Sequence, residues 1–234
     1  QKVFGKFMNV KLISYSTATD EFAAEGIEDL QDLIAFCAKV SNPTAQINNE
    51  TSERLLNYLV KHQHWSPFEM VSACLEIETT RDIAHQIVRH RSFSFQEFSQ
   101  RYADPAEMGD QFVVREMRMQ DTSNRQNSIN PDLNMAIYSD LDREWHAKQR
   151  GIIAAAKATY NWAIKNGIAK EQARVVLPEG LTKTRLYMNG TIRSWIHYID
   201  LRGSNGTQKE HMMIAQACAE VITKVFPNIQ NYTV

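Results

Sequence analysis

The chain has 234 residues, of which 43% are hydrophobic and 23% are charged. This length and balance are typical of a globular protein with its own hydrophobic core, and they exclude a largely disordered chain. Because 26 Lys and Arg residues stand against 27 Asp and Glu residues, the formal net charge is only -1, which excludes a broadly basic protein that coats DNA or anionic lipid. Any site for an anion is therefore expected to be local.

The cysteines and the termini indicate the compartment and the domain limits. Cys37, Cys74 and Cys218 have no CxxC spacing and stand in apolar runs, which predicts reduced thiols in the core. The sequence has no apolar run near the ~18 residues of a membrane span, so a cytoplasmic protein without membrane contact is expected. Residues 1–7 are interpreted as a cloning remnant or a disordered N-terminus, and residues 8–234 as one domain.

Hydrophobic periodicity divides the first half of the chain into strands and helices. Alternating apolar residues predict strands, and apolar residues three and four apart predict helices. The predicted elements, in chain order, are a strand at 8–15, a helix at 27–40, a helix that begins at Thr51 and Ser52 and ends near His62, a strand from Val71 to Glu78, and a helix at 81–91.

The second half begins with a long polar connection at 103–130, interpreted as a surface segment or flap. Asn130 and Pro131 predict the start of a long helix that continues to Lys165, with a possible interruption near Gly151. Shorter helices are predicted at 169–176 and 191–201, a strand at 182–189, and an amphipathic helix at 208–225. The predicted fold class is α+β, with a small, mostly antiparallel sheet flanked by helices that include the long helix after residue 130.

The segment 89–102, RHRSFSFQEFSQRY, crowds four basic or imidazole side chains around the carboxylate of Glu97. Arginine binds phosphate through a planar fork that stays charged, so this cluster favours an anionic ligand. If residues 95–102 are extended, Glu97, Ser99 and Arg101 line one face and can hold a nucleotide. A solvated helix end with ordinary salt bridges is the alternative.

The spacing of this segment carries a resemblance. Arg89-His90-Arg91, seven residues, and Ser99-Gln100-Arg101 resemble the RHR-x7-S-x-R signature of the flavin-dependent thymidylate synthases. The upstream KHQHWSPFE and the downstream QARVVLP and YIDLR resemble three further blocks of that family. The resemblance spans roughly residues 50–225.

The resemblance implies an activity and a set of contacts. The activity is FAD-dependent methylation of dUMP to dTMP, with 5,10-methylenetetrahydrofolate as carbon donor and NADPH as reductant, in a homotetramer whose chains share active sites. Arg202 is implied as the catalytic arginine, placed at the uracil ring to favour ionised N3. The implied dUMP contacts are Gln86, Ile87, Val88, Arg89, Glu97, Phe98, Ser99, Gln100, Arg101, Arg174 and Arg202; the implied FAD contacts are Ser66, Arg89, His90, Arg91, Glu97, Thr191, Ile192, Arg193 and His197, with His64 near the folate or flavin edge.

Motifs missing from the sequence agree with this chemistry. There is no GxGxxG fingerprint and no P-loop, so the phosphates of any nucleotide are expected to be held by Arg and His side chains. The three cysteines have apolar neighbours and are interpreted as structural, which leaves no nucleophilic thiol. His62 and His64 form an HxH pair without a further ligand at metal-binding spacing, so no metal is expected.

Binding of nucleic acid is a second class of function, using residues 89–91 with Phe93, Phe95 and Phe98 stacked on bases. Residues 81–118 speak against it, because their six Lys or Arg are balanced by six Asp or Glu. No nucleic-acid partner is therefore expected. Three arginines in this region, Arg81, Arg115 and Arg118, are expected to be solvated, and the four tryptophans are expected to be core or interface anchors.

Overall fold

The structure, a computed structural model, describes residues 7–109, 111–204 and 206–233. The expectation for the N-terminal stretch 1–7 lies, except for Phe7, outside the described residues. Within the described ranges, no helix is both long and apolar enough to cross a membrane.

Four strands form one antiparallel sheet in the order β1, β2, β6, β3. A second, two-stranded ribbon pairs β4 with β5 inside the polar connection. This small sheet among helices confirms the predicted α+β class. The strands are β1 (Asn9–Tyr15), β2 (Ser72–Thr80), β3 (Ser94–Glu97), β4 (Met119–Gln120), β5 (Ser128–Ile129) and β6 (Lys183–Thr191).

Eight α-helices lie within the described ranges, joined in places by short 3₁₀ turns. Their bounds differ from the predicted ones by a few residues at most ends. The helices are α1 (Asp20–Ala23), α2 (Leu30–Ala38), α3 (Ser52–Lys61), α4 (Arg81–Ile87), α5 (Ala136–Lys165), α6 (Lys170–Ala173), α7 (Ile192–Arg202) and α8 (Lys209–Ile222). The 3₁₀ turns are Pro43–Ala45, Ser66–Glu69, Pro105–Met108, Arg174–Val176 and Pro227–Asn231.

The centre of the sheet is the pairing of β2 with β6. Their register runs without a break from Ser72 opposite Thr191 to Thr80 opposite Lys183. The apolar residues of these strands, among them Leu75, Ile77 and Met188, are fully buried. Such burial of branched and long apolar side chains is the dominant favourable term in folding.

The main core lies between this sheet and helices α2, α3, α4, α7 and α8. Trp195 of α7 is completely buried, and its indole N–H donates to the main-chain oxygen of Ala73 in β2 at 3.0 Å. The bond gives the one polar group of the indole a partner, so the ring fills the core without leaving a buried donor unpaired. It also fixes α7 against the sheet.

Three predicted elements differ from the structure. The long helix begins at Ala136 rather than at Pro131, because the Asp132 carboxylate accepts the main-chain N–H of Asn134 and holds that segment in a turn. Gly151 does not interrupt the helix. The helix predicted at 81–91 ends at Ile87, so the RHR sequence follows α4 instead of forming its last turn.

The condition under which Glu97, Ser99 and Arg101 would line one face, an extended chain over residues 95–102, is not met beyond Phe98. The pairing of β3 with β6 ends at Glu97 opposite Leu186. After it, the main-chain oxygen of Ser99 accepts the N–H groups of Tyr102 and Ala103, both at 3.1 Å. This turn means that Glu97, Ser99 and Arg101 do not line one strand face.

Close contact between β6 and the turn before β3 makes Gly190 a sensitive position. A Cβ added at Gly190 would lie 2.3 Å from Cδ1 of the buried Phe93 ring. Gly190→Ala is therefore expected to destabilise the protein by about 1–3 kcal/mol through overpacking. Gly151→Ala is the matched control: it lies in α5 with no atom within 4 Å of its added Cβ, and it is expected to stabilise by about 0.5–1 kcal/mol.

Urea unfolding followed by circular dichroism measures both effects. A Gly190→Ala protein as stable as the parent would show that the Phe93 ring moves aside without cost.

Candidate functional site

Two helix ends bring the RHR sequence to Arg202. Arg202 is the last residue of α7, and its Nε–H donates to Nε2 of His90 at 3.1 Å. Burial, then the charge of Arg202, lowers the pKa of His90. The ring is therefore neutral, with its proton on Nδ1, and Arg202 has no acidic partner among the described residues.

A set of polar side chains continues from this pair into the protein. The rings of His90, Tyr198 and His211 pack together in a triangle, with centroid distances of 4.9 Å from Tyr198 to His90, 5.8 Å from Tyr198 to His211 and 6.1 Å from His90 to His211. Nε2 of His211 lies 3.1 Å from the Tyr198 hydroxyl, and Nδ1 lies 3.3 Å from Oε1 of Gln86. Nε2 of Gln86 in turn donates to Oε1 of Gln208 at 2.7 Å. Gln86 thus joins the expected dUMP contacts to α8.

The set ends at a buried carboxylate, Glu210, at the start of α8. Arg118 forms ion pairs with it at 2.8 Å, and Arg115 at 3.2 Å. Burial alone would raise the pKa of Glu210, but the hydrogen bond from Arg118 and the charges of both arginines lower it to about 2. Arg115 also donates to the Thr80 hydroxyl at 2.8 Å. These bonds anchor residues 115–118 of the polar connection to the ends of β2 and α8.

The expectation that Arg81, Arg115 and Arg118 are solvated is wrong. Their side chains are 15%, 12% and 13% exposed, and each holds a carboxylate. Arginine leaves water more readily than lysine and can bind several acceptors with its fork, which explains why this connection uses it.

Glu97, at the end of β3, is held by a different group of residues. It accepts from Arg81 at 3.3 Å and from the Thr184 hydroxyl at 2.8 Å. Gln100 in the following turn is 4% exposed, and its Nε2 is buried without a partner. A buried N–H group that lacks an acceptor is a candidate contact for a ligand oxygen.

Several expected contacts present free positive charge. Within the described residues, the guanidinium groups of Arg89, Arg91 and Arg174 form no hydrogen bond or ion pair. Arg89 and Arg91 are exposed, and Arg174 is partly buried. Arg101 differs, since it lies 3.9 Å from the Glu171 carboxylate. Arginine side chains without a carboxylate partner in the described ranges can donate hydrogen bonds to phosphate oxygens.

Three of the contacts expected for the flavin or folate, Ser66, Arg193 and His64, line an open pocket of about 640 Å³. Its lining residues are Gln63, His64, Trp65, Ser66, Glu69, Met70 and Arg193. Arg193 is ion-paired with Glu69, and the His197 ring lies 4.7 Å from the Trp65 ring. Burial, then the charge of Arg193, lowers the pKa of His197.

The strand-to-helix junction beside this pocket is built by Thr191, whose hydroxyl oxygen accepts the N–H of Ser194 at 3.2 Å and caps α7. Ile192 and Ile87 are completely buried. Val88 and Phe98 are partly buried.

The structure thus collects the expected residues into groups rather than one cavity. No side-chain hydrogen bond or ion pair between described residues joins the Arg202 group, the Glu97 group and the Arg193 pocket. Each group has a cation or an N–H donor that could bind a phosphate oxygen or another acceptor of a ligand. The Arg202 group holds Gln86 and His90 near the free Arg89 and Arg91; Glu97 lies with Arg81; Ser66, His64, Arg193 and His197 lie at the pocket.

Sequence reasoning missed Gln208, Glu210 and His211. A signal for them exists: Glu210 and His211 stand at helical spacing with Ile214 and Cys218, on the buried side of α8. A charged residue on an apolar face needs a partner, and the partner here is the Arg115 and Arg118 pair.

In the described ranges, no three His, Cys, Asp or Glu side chains lie close enough together to hold a metal ion. The His62 and His64 rings are 6.2 Å apart, and Tyr58 packs beside both.

The buried His211 predicts a dependence of stability on pH. Burial, then the charges of Arg202 and His90, lowers its pKa from 6.5 to about 3. Below pH 6.5, His211 binds a proton in the unfolded chain but not in the folded chain. The free energy of unfolding therefore falls as the pH falls. From this residue the free energy of unfolding should drop by about 2 kcal/mol between pH 7 and pH 5.

Urea unfolding across that range tests the prediction. His211→Asn should flatten the slope, whereas His146→Asn on the partly exposed face of α5 should preserve it. An unchanged slope in His211→Asn would contradict the assignment.

The chain is similar to known proteins over most of its length. Residues 24–228 match the family model of the thymidylate synthase complementing protein. A probable flavin-dependent thymidylate synthase of Paramecium bursaria Chlorella virus 1 is 47% identical over 222 residues, which cover 95% of this chain and 97% of the viral protein. A flavin-dependent thymidylate synthase of Synechocystis sp. is 43% identical over 223 residues, with the same 95% and 97% coverage.

The fold is also similar to a solved structure, the UMP/dUMP methylase PolB from Streptomyces cacaoi bound with 5-Br dUMP. The TM-score is 0.78 at 23% sequence identity, covering 96% of this chain and 93% of that one. On the family match and the extent of the two close relatives, the chain is an enzyme that belongs to the family of the flavin-dependent thymidylate synthases.

Proposed function

We propose that this chain converts dUMP to dTMP, with FAD as cofactor, 5,10-methylenetetrahydrofolate as carbon donor and NADPH as reductant. The overall reaction balances as dUMP, methylenetetrahydrofolate, NADPH and one proton giving dTMP, tetrahydrofolate and NADP⁺. FAD, when bound, supplies the hydride chemistry between NADPH and the nucleotide. The observation that carries the proposal is Arg202, a charged guanidinium held by a neutral His90 beside the free Arg89 and Arg91.

Arg202 is the proposed catalytic residue. Its one side-chain partner in the described ranges is the imidazole of His90, whose low pKa leaves it neutral. The positive charge is therefore not cancelled inside the protein. Placed at the uracil ring, it would lower the cost of an anion at N3 and raise the electron density at C5, where the carbon is added.

We assign phosphate binding to arginines that have no side-chain partner among the described residues. Arg89, Arg91 and Arg174 fit this role, because ligand binding would not first have to break an ion pair. Ser99, Gln100, Arg101, Phe98 and the main chain at Ile87 and Val88 complete the proposed dUMP contacts. The partnerless Nε2 of Gln100 is the strongest of these, since a ligand oxygen would satisfy it.

The flavin is proposed to contact the pocket of Ser66 and Arg193 and the RHR side chains, with His64 at the folate or flavin edge. Thr191 and Ile192 lie at the start of α7 and His197 in its middle, and Glu97 is the remaining proposed contact. Arg193 already holds Glu69, so its contribution is to the shape and hydrogen bonding of the pocket more than to net charge.

A homotetramer with shared sites is the proposed assembly. Apolar side chains on α5 form an exposed stripe, including Ile137 at 69% and Ile152 at 53% exposure, with Leu141 and Trp145 between them. Patches of this kind mark protein contacts. The separation of the site into three groups supports completion by a neighbouring chain.

Three further inferences accompany this proposal. Residues 8–234 are proposed to form one domain, which the core shared by the sheet and five helices supports. The cytosol is the proposed compartment, since Cys37, Cys74 and Cys218 are free thiols. Nucleic acid is not a proposed partner: the Phe93 ring is buried against Trp195 at 4.8 Å and cannot stack on a base.

Visible absorbance of the purified protein tests the cofactor. We expect flavin bands, and faster bleaching by NADPH without oxygen when dUMP is present. A colourless protein that takes up no added FAD would contradict the proposal.

Arg202→Ala is expected to retain FAD and to lower the rate of dTMP formation by a factor on the order of 10² to 10³, because the lost charge acts on the bound uracil. Arg150→Ala is the matched control, as Arg150 is an exposed arginine on α5 without an ion pair in the described ranges. Turnover assays with labelled methylenetetrahydrofolate measure the rate of dTMP formation by both variants. Parental turnover in Arg202→Ala would remove Arg202 from the mechanism.

A further inference from the structure

An unbroken line of hydrogen bonds runs from the buried hydroxyl of Tyr198 to the carboxylate of Glu210. Its members come from α7, α8, α4 and the residue before α8. None of its links is solvent-mediated, and each pairs an N–H or O–H with an acceptor atom of the next side chain. The direction of every donor can therefore be assigned.

The carboxylate fixes that direction because, with a pKa of about 2, it only accepts. Gln208 donates to it through Nε2 at 3.1 Å and so turns its Oε1 toward Gln86. Gln86 donates its Nε2–H to that oxygen and turns its own Oε1 toward Nδ1 of His211. Only a protonated Nδ1 satisfies this contact, which leaves Nε2 of His211 to accept from Tyr198.

We propose that His211 is a positioning residue for the nucleotide: by donating from Nδ1 to Oε1 of Gln86, it fixes the amide of Gln86 so that the second Nε2–H points to the ligand. An amide nitrogen has two hydrogens, and Gln208 uses one of them. A flipped Gln86 amide would set its N–H against the N–H of His211 and its oxygen against the oxygen of Gln208. The inference rests on the proposed function, in which Gln86 contacts dUMP.

The surroundings keep the imidazole in this state. The groups that face it are Tyr198 from α7, Gln86 from α4, and the nearby Arg202 and His90. Burial and the charge of Arg202 both oppose protonation, so the ring stays neutral and its single proton stays on Nδ1. Tyr198 keeps its own proton, because burial raises its pKa well above the usual value.

Two substitutions separate the two nitrogens of the ring. The side-chain amide of Asn overlays Nδ1, so His211→Asn retains a donor toward Gln86. The longer Gln overlays Nε2, so His211→Gln retains a partner for Tyr198 and loses the donor toward Gln86. The experiment is titration of FAD-loaded protein with dUMP, followed by flavin absorbance, with steady-state kinetics beside it.

We expect His211→Gln to raise the Kd and the KM for dUMP about tenfold, with kcat changed less than about twofold. His211→Asn should bind dUMP within about twofold of the parent. Ile214→Ala is the control for stability: it leaves a cavity in the same helix, lowers Tm, and should not change the Kd.

Gln86→Leu separates the inference from the proposed function. If Gln86→Leu weakens dUMP binding and His211→Gln does not, the positioning role is overturned while the function stands. If both His211 variants weaken binding equally, in step with their loss of Tm, the residue is structural and the inference is wrong. If the parent protein binds neither FAD nor dUMP, the proposed function fails as well.

Discussion

The pairing of β2 with β6 is the constraint on which the site depends. β2 passes directly into α4 at Arg81, and β6 passes directly into α7 at Ile192. Because the strands are antiparallel, the two helices start at opposite ends of the sheet and run toward each other. They are about 10 and 16 Å long, and the strands span about 30 Å, so the helix ends meet. This brings Arg202 to His90 across 112 positions of sequence.

The arginines around this meeting point divide by their partners. Arg115 and Arg118 are buried and held by Glu210, which makes them part of the scaffold. Arg89 and Arg202 face no carboxylate in the described part of the chain. Removing a charge from water costs free energy, and an ion pair between two buried charges offsets that cost. A charge without a partner lowers the stability of the fold but remains available to attract a ligand of opposite charge. Active sites commonly show this compromise.

The sequence was sufficient for the fold class and for the RHR group because both rest on local patterns: alternation in β2 and β6, helical spacing in α7 and α8, and a contiguous motif. It was insufficient where a residue's role depends on a distant partner. Glu210 and Arg118 are 92 positions apart, and neither position alone indicates burial. β3 also stops before β6 does: β6 extends to Lys183, but the chain after Phe98 turns where the Ser99 oxygen accepts from Tyr102 and Ala103.

The long helix α5 has a thermodynamic consequence. Over 30 residues it buries only Gln149, Ala156, Tyr160 and Ala163 within its own chain. A helix gains most of its stability from the surface that covers its apolar side, and here that side faces outward. In the proposed assembly, folding of this segment and association of subunits become one equilibrium. The resistance of the protein to denaturation then has no single value, and rises with the concentration of the protein by mass action.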